Sequence, residues 1–236
     1  MAATEYLRVT DLHAFYGESH VLHGADLLVN RGEVVALLGR NGAGRTTLLR
    51  SIMGLVGRRN GSIMVNGRET IAMPTHRIAG LGIGYCPEER AIFSSLSCEE
   101  NLMLPPVLRS GGFSLEDVYA MFPNLRDRRR SQGTRLSGGE QQMLAIARIL
   151  RTGAQLLLLD EISEGLAPVI VDALEQCVLA LKARGYTILL VEQNFEFATG
   201  VADRAYVMEN GRVADSLSRE DLAGEKAEQV HRLLAV

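Results

Sequence analysis

Gly39, Arg40, Asn41, Gly42, Ala43, Gly44, Arg45, Thr46 and Thr47 follow the spacing G-x-x-x-x-G-K-[ST] of a phosphate-wrapping loop, with Arg45 where that spacing asks for lysine. Three glycines let the backbone turn its N–H groups inward on an anion, and the positive end of a following helix adds to that field. The Thr46 hydroxyl then stands where it can hold Mg²⁺ beside the phosphates. Arg45 keeps the cation but changes its shape, since a guanidinium is planar and forked where an ammonium is compact. A second group is acidic. Asp160 and Glu161 stand directly behind Leu156, Leu157, Leu158 and Leu159, where two carboxylates are costly unless a cation or a water network meets them. Asp160 is therefore expected in the Mg²⁺ shell, and Glu161 is expected to take a proton from an attacking water or to orient it. Helix capping near Ser163 is the alternative for this pair. Ser137, Gly138 and Gly139 open a helix and make a second anion site; a plain N-cap and turn is the alternative there.

These groups need a scaffold, and the hydrophobic pattern supplies one. Residues 34–38 read as a buried parallel strand, and Leu48, Leu49, Ile52 and Met53 repeat at helical spacing, which gives the strand-loop-helix setting that a phosphate loop needs. Residues 5–38 read as short strands with turns. Asn66-Gly67 and Asn210-Gly211 read as hairpin turns. Residues 82–86, 156–159 and 187–191 read as further strands. Between them, from about residue 89 to 152, the pattern is mostly helical, with candidate helices at 98–104, 115–122 and 138–151; another is expected at 169–184. Strands and helices thus alternate around a helical insertion, so an α/β fold with a mostly parallel sheet is expected. Ligands of such sheets gather beyond the carboxyl ends of the strands.

Composition narrows the function class. The chain has 236 residues, 47% of them apolar, enough for one large domain or a core with a subdomain. A net charge of −3 gives no electrostatic reason to expect a nucleic-acid partner. Arg126 and Arg128 to Arg130 form a local basic run that reads as a solvated helix end. Cys86, Cys98 and Cys177 lack metal-ligand spacing and read as reduced thiols of a cytosolic protein. His13, His20, His23, His76 and His231 show no helical metal spacing and read as surface or capping residues. The first ten residues lack an apolar signal core, and no segment approaches the ~18 apolar residues of a transmembrane helix. Any membrane role is expected to come through a partner.

Residues 136–142, with Leu136, Ser137, Gly138, Gly139, Glu140, Gln141 and Gln142, match the LSGGQ-type signature, and the Walker B run 156–161 follows. With the phosphate loop, these motifs make the chain resemble an ABC-transporter nucleotide-binding domain over essentially its whole length. The resemblance implies a P-loop NTPase (RecA-like) fold with a mostly parallel sheet, an antiparallel β subdomain and an inserted helical lobe. Residues 1–236 would form one ABC ATPase domain: 1–88 and 153–236 the nucleotide-binding core, 89–152 the helical lobe with the signature. It implies ATP and Mg²⁺ as ligands. Gly39 to Thr47 would hold the phosphates, with Tyr16 stacked on adenine, although Tyr16 could instead be a core aromatic, a role that suits Phe15 beside it. Thr46, Glu88 and Asp160 would surround Mg²⁺. Glu161 would be the base, Arg45 the catalytic cation and Gln193 the γ-phosphate sensor. Ser137, Gly138, Gly139 and Glu140 would complete the ATP site of a second subunit in a head-to-tail dimer.

Four positions depart from the family pattern: Arg45 for lysine, Glu88 for glutamine, Gln193 for histidine and Ile162 for proline. Glu88 adds charge but can still ligate Mg²⁺, and the Gln193 amide can hydrogen-bond a phosphate but does not titrate near neutrality. Pro87-Glu88, Glu192-Gln193-Asn194, residues 163–168 and the run 140–148 together resemble one branch, the smaller of the two ATPase types in branched-chain amino-acid import, whose relatives serve urea and short amides. The implied partners are a second ABC ATPase subunit, identical or homologous, transmembrane permease subunits and, indirectly, a solute-binding protein, with no nucleic acid. The implied location is cytoplasmic, peripheral at the inner face of the cell membrane. Two rivals stand beside this reading. One is a catalytically weak module paired with a competent ATPase, which Arg45 favours and Glu161 opposes. The other is a soluble ABC protein of DNA repair or translation, which would usually carry two nucleotide domains or a long coiled-coil insertion.

Overall fold

Two long antiparallel strands, β1 (Glu5–Tyr16) and β2 (Ser19–Asn30), replace the short strands expected near the N-terminus. Bulges are the reason: pairing shifts register between Val9 and Leu12 and again before Phe15, with Asp11 at φ 47°, so the alternation breaks while the ladder continues. A computed structural model describes residues 4–224 and Lys226 of the chain; His231 lies outside them. The strand β3 (Val34–Gly39), buried at every position, leads through the glycine loop into α1 (Arg45–Ile52). Next, β4 (Arg58–Val65) pairs with β1 and turns through Asn66 and Gly67 into β5 (Arg68–Glu69), both turn residues having positive φ as expected.

Helix α2 (Thr75–Ala79) and β6 (Ile83–Cys86) precede the helical stretch of α3 (Cys98–Met103), α4 (Leu115–Met121), α5 (Pro123–Asp127) and α6 (Gly138–Arg151). The chain then returns to β7 (Leu156–Asp160), α7 (Pro168–Ala183), β8 (Thr187–Glu192) and α8 (Phe195–Val201). A hairpin of β9 (Arg204–Glu209) and β10 (Arg212–Leu217) follows, its turn at Asn210 and Gly211. Ion pairs from Arg126 to Glu116 and from Arg128 to Glu140 lie in the exposed region around α5, so the basic run is a solvated helix end.

The described strands form a four-stranded antiparallel sheet, β2-β1-β4-β5, and a six-stranded sheet, β10-β9-β3-β8-β7-β6, whose pairs are parallel except at β10. Each central strand of the larger sheet is apolar on both faces, which its near-continuous hydrophobic runs require. Val34, Ala36, Leu38, Leu157, Leu159, Ile188 and Leu190 belong to one apolar cluster, which includes Leu144, Ile146 and Leu150 of α6 and Leu174, Val178 and Leu181 of α7. Val35, Leu37, Leu156, Leu158, Leu189 and Val191 belong to the other, with Leu48, Leu49 and Ile52 of α1 and residues of β1 and β2. Because β3 and β7 both run parallel to β8 between them, the phosphate loop and the acidic pair emerge at the same, carboxyl, end of the sheet. No helix among the described residues is long and apolar enough to cross a membrane.

Candidate functional site

The phosphate loop depends on glycine where the backbone turns left-handed. Gly44 caps α1 at φ 103°, and a side chain there would also press on Leu22 and Met208 at 3.0 and 3.1 Å. No side chain caps that helix, so its first amides face the loop as donors for an anion. They open on a cleft of about 360 Å³. One wall is Asn41, Gly42, Gly44, Arg45, Thr46 and Thr47; Glu88, Glu161 and Glu164 line it as well. Arg40 and Ala43 instead line a neighbouring depression with Met208 and Asn210.

Asp160 ends β7 with its side chain fully buried, and both carboxylate oxygens are engaged. Thr46 Oγ1 donates to Oδ1 at 3.1 Å, and the Tyr85 hydroxyl donates to Oδ2 at 3.0 Å. Burial raises its pKa from the ordinary range, more than these two bonds lower it. Glu161 follows at φ 47°, its amide bonded to the Val191 carbonyl at 2.9 Å. Burial and a hydrogen bond with Glu164 outweigh the charge of Arg45 and lift the Glu161 carboxyl to about 7. Carboxylate oxygens of Glu88, Glu161 and Glu164 lie within 4.8 Å of one another. This is a set of hard oxygen donors, suited to a divalent cation such as Mg²⁺.

Arg45 lies deep in the site, 4% exposed, and reaches across it. Its Nη2 donates to Glu161 Oε1 at 2.6 Å and to Asn41 Oδ1 at 3.1 Å, and Nη1 donates to the Glu192 carbonyl at 2.8 Å. Glu192 is itself buried; its carboxylate accepts the Ser163 amide at 3.0 Å and hydroxyl at 2.8 Å, and burial pushes its pKa up to about 7. The acidic pair is therefore no helix cap near Ser163. Ile162 is fully buried in the core, filling the place of the proline with apolar volume.

The signature residues lie apart from this cleft. Ser137 caps α6: its hydroxyl accepts the Glu140 amide at 3.3 Å, and Glu140 accepts the Ser137 amide at 2.7 Å. The amides of Gly138 and Gly139 precede the first intrahelical donor, Gln141, and lie at the positive end of the helix. Gly139 is required by packing as well, since a Cβ there would sit 2.7 Å from Ile170. Tyr16 is 45% exposed at the end of β1, next to the hairpin turn. Phe15, expected in the core, is only half-buried because it stacks on His20 at 4.2 Å with the Arg58 guanidinium over its ring. Gln193 is exposed, one residue beyond Glu192, and does not line the cleft.

A family model described as ABC transporter matches residues 22–164. A high-affinity branched-chain amino acid transport ATP-binding protein of Pseudomonas aeruginosa is 42% identical over 84% of this chain and 87% of its own length. The chain belongs to the ABC transporter ATP-binding family. A probable branched-chain amino acid transport ATP-binding protein of Archaeoglobus fulgidus is 37% identical, covering 95% of this chain and 97% of its own. A solved structure of an ATP binding subunit of an ABC transporter superposes with a TM-score of 0.81 at 29% identity, over 98% of this chain and 100% of that one. Within this ABC cassette, reading the sequence alone misses Tyr85, Glu164 and Glu192. Tyr85 is the third of the four residues of β6 and Glu192 the last residue of a mostly apolar β8; Glu164 lies three residues beyond Glu161.

Proposed function

We propose that the chain is the ATP-hydrolysing subunit of an importer for branched-chain amino acids or related small solutes. It acts as a dimer with an identical or homologous ATPase subunit. Together they work on transmembrane permease subunits at the inner face of the cell membrane, served by a solute-binding protein. The observation that carries the ATPase reading is one cleft lined by the glycine loop, Thr46 and Glu161, with Asp160 bonded to Thr46 beneath it and the signature residues outside its lining. The similarity to branched-chain transport ATP-binding proteins over most of the chain supports the cargo class.

In this reading the loop from Gly39 to Thr47 holds the phosphates, and Tyr16 stacks on the adenine. Thr46, Asp160 and Glu88 would hold Mg²⁺, which when bound neutralises charge on the phosphates. Glu161, poised near neutrality, takes a proton from the attacking water. Gln193 donates its amide to the γ-phosphate, an interaction that requires movement of the switch residue toward the cleft. Ser137, Gly138, Gly139 and Glu140 serve the site of the other subunit.

Coupling to a permease has a physical route through the segment after β6, which carries Glu88. Arg90 bonds Gln141 and Gln142 of α6 at 3.3 and 3.2 Å, and Arg148 donates to the Ala91 carbonyl at 2.5 Å and sits over the Phe93 ring. Phe93, Met103, Leu104, Val107 and Leu108 are large apolar residues left exposed in this part of the chain, the kind of surface that a membrane partner covers.

Calorimetric titration with Mg·ATP is expected to show one nucleotide per chain with affinity in the micromolar to millimolar range. Absence of binding up to millimolar nucleotide would remove the ATPase reading. Tyr85→Phe removes the donor to Asp160 Oδ2 without touching the loop. It is expected to raise the Mg²⁺ concentration for half-maximal turnover about tenfold, the usual scale for a residue that orients a metal ligand, while Mg²⁺-free nucleotide affinity stays unchanged. An unaltered Mg²⁺ dependence would show that Tyr85 plays no part in holding Asp160.

A further inference from the structure

The guanidinium of Arg45 joins three segments: the phosphate loop through Asn41, β8 through the Glu192 carbonyl, and the residue after β7 through Glu161. The Glu161 contact is an ion pair at 2.6 Å between side chains 4% and 9% exposed. A single ammonium offers its donors from one atom, whereas the fork of arginine presents Nη1 and Nη2 to different acceptors at once. Phosphate oxygens are acceptors of the same kind as the Glu161 carboxylate, and both bind guanidinium through charge-assisted bonds. Nucleotide and Glu161 therefore compete for Nη2.

We propose that Arg45 is a positioning residue for Glu161 and an internal lock on the site: nucleotide phosphates draw the guanidinium off Glu161, and the carboxylate so released is free to meet water. The bonds to Asn41 and the Glu192 carbonyl hold the guanidinium at the loop during that exchange. The lock rests on the reading of this cleft as an ATP site and goes beyond it, because it couples phosphate binding to freeing of the base. Such coupling is reciprocal: if phosphate weakens the grip on Glu161, Glu161 must weaken the grip on phosphate.

The test is the affinity of the full chain for ADP, measured by calorimetry in the parent, E161Q, R45K and the R45K/E161Q double variant. ADP lacks the terminal phosphate and is not turned over, so the readout is independent of hydrolysis. E161Q removes the competing charge but keeps an oxygen for Nη2, and is expected to tighten ADP binding at least about fivefold, the lower end of ordinary coupling between sites. In the R45K background the same change is expected to alter the affinity less than about twofold. E161D keeps the charge but withdraws it by one methylene, and it should shift the affinity in the same direction if E161Q folds poorly. Unchanged ADP affinity in both Glu161 variants would overturn the lock, as would an equal gain with and without Arg45. ADP bound by none of the four proteins would overturn the ATP-site reading and the lock with it.

Discussion

Glu161→Gln is expected to lower ATP turnover by about 10²–10⁴-fold, the usual contribution of a positioned general base, while the protein still assembles as an ATP-bound dimer. Gln keeps the size and one acceptor oxygen of the side chain, so the bond from Arg45 Nη2 at 2.6 Å has a replacement partner and the loop stays in place. The lost function is proton acceptance. Light scattering with ATP should show the mass of the nucleotide-free variant doubling, and a steady-state assay should show the loss of rate. A variant that turns over at the parental rate would remove Glu161 from catalysis. The parent carries its own check. With the carboxyl lifted to about 7 by burial, turnover should rise with pH through that value as the basic form appears. The sign for stability is opposite: a carboxyl whose pKa is raised on folding favours the folded state below its ordinary pKa, and that contribution is lost as pH rises through about 7.

The parts of this site that were legible in the sequence are those carried by short-range pattern. The loop, its flanking strand and helix, the acids behind four leucines and the serine cap of α6 each lie within one run of residues, and chain-local rules place them. The links among those runs were not legible. Arg45 meets a glutamate 116 positions away, and Tyr85 meets an aspartate 75 positions away. No periodicity records such a pair, because it arises from the order of strands, with β8 between β3 and β7. Alternation understates the N-terminal strands for a different reason: a bulge at Asp11 and the register shifts around it disrupt the pattern without ending the pairing. The same bulged hairpin stacks His20 on Phe15, sets its ring tilted against His23 and brings His13 Nδ1 3.0 Å from His20 Nε2, a cluster that sequence spacing hid.

Asp160→Asn should separate activity from stability. The carboxylate is fully buried, and burial raises its pKa, which means that at neutral pH the ionised form costs the empty fold stability. Its present partners, the hydroxyls of Thr46 and Tyr85, offset only part of that cost. Asn has the same shape, accepts a bond through its amide oxygen and carries no charge. In the absence of nucleotide and Mg²⁺ the variant is therefore expected to melt a few degrees higher than the parent, since 1 kcal/mol moves the midpoint of a domain this size by about 2–4 °C. Turnover should fall by about 10²-fold or more, because one of the oxygen donors proposed for Mg²⁺ has lost its charge. The two effects point in opposite directions, so a general weakening of the fold could not mimic them. A variant that melts lower and loses activity would make Asp160 a structural residue. One that melts higher and keeps its rate would leave the metal to Glu88 and its acidic neighbours, Glu161 and Glu164.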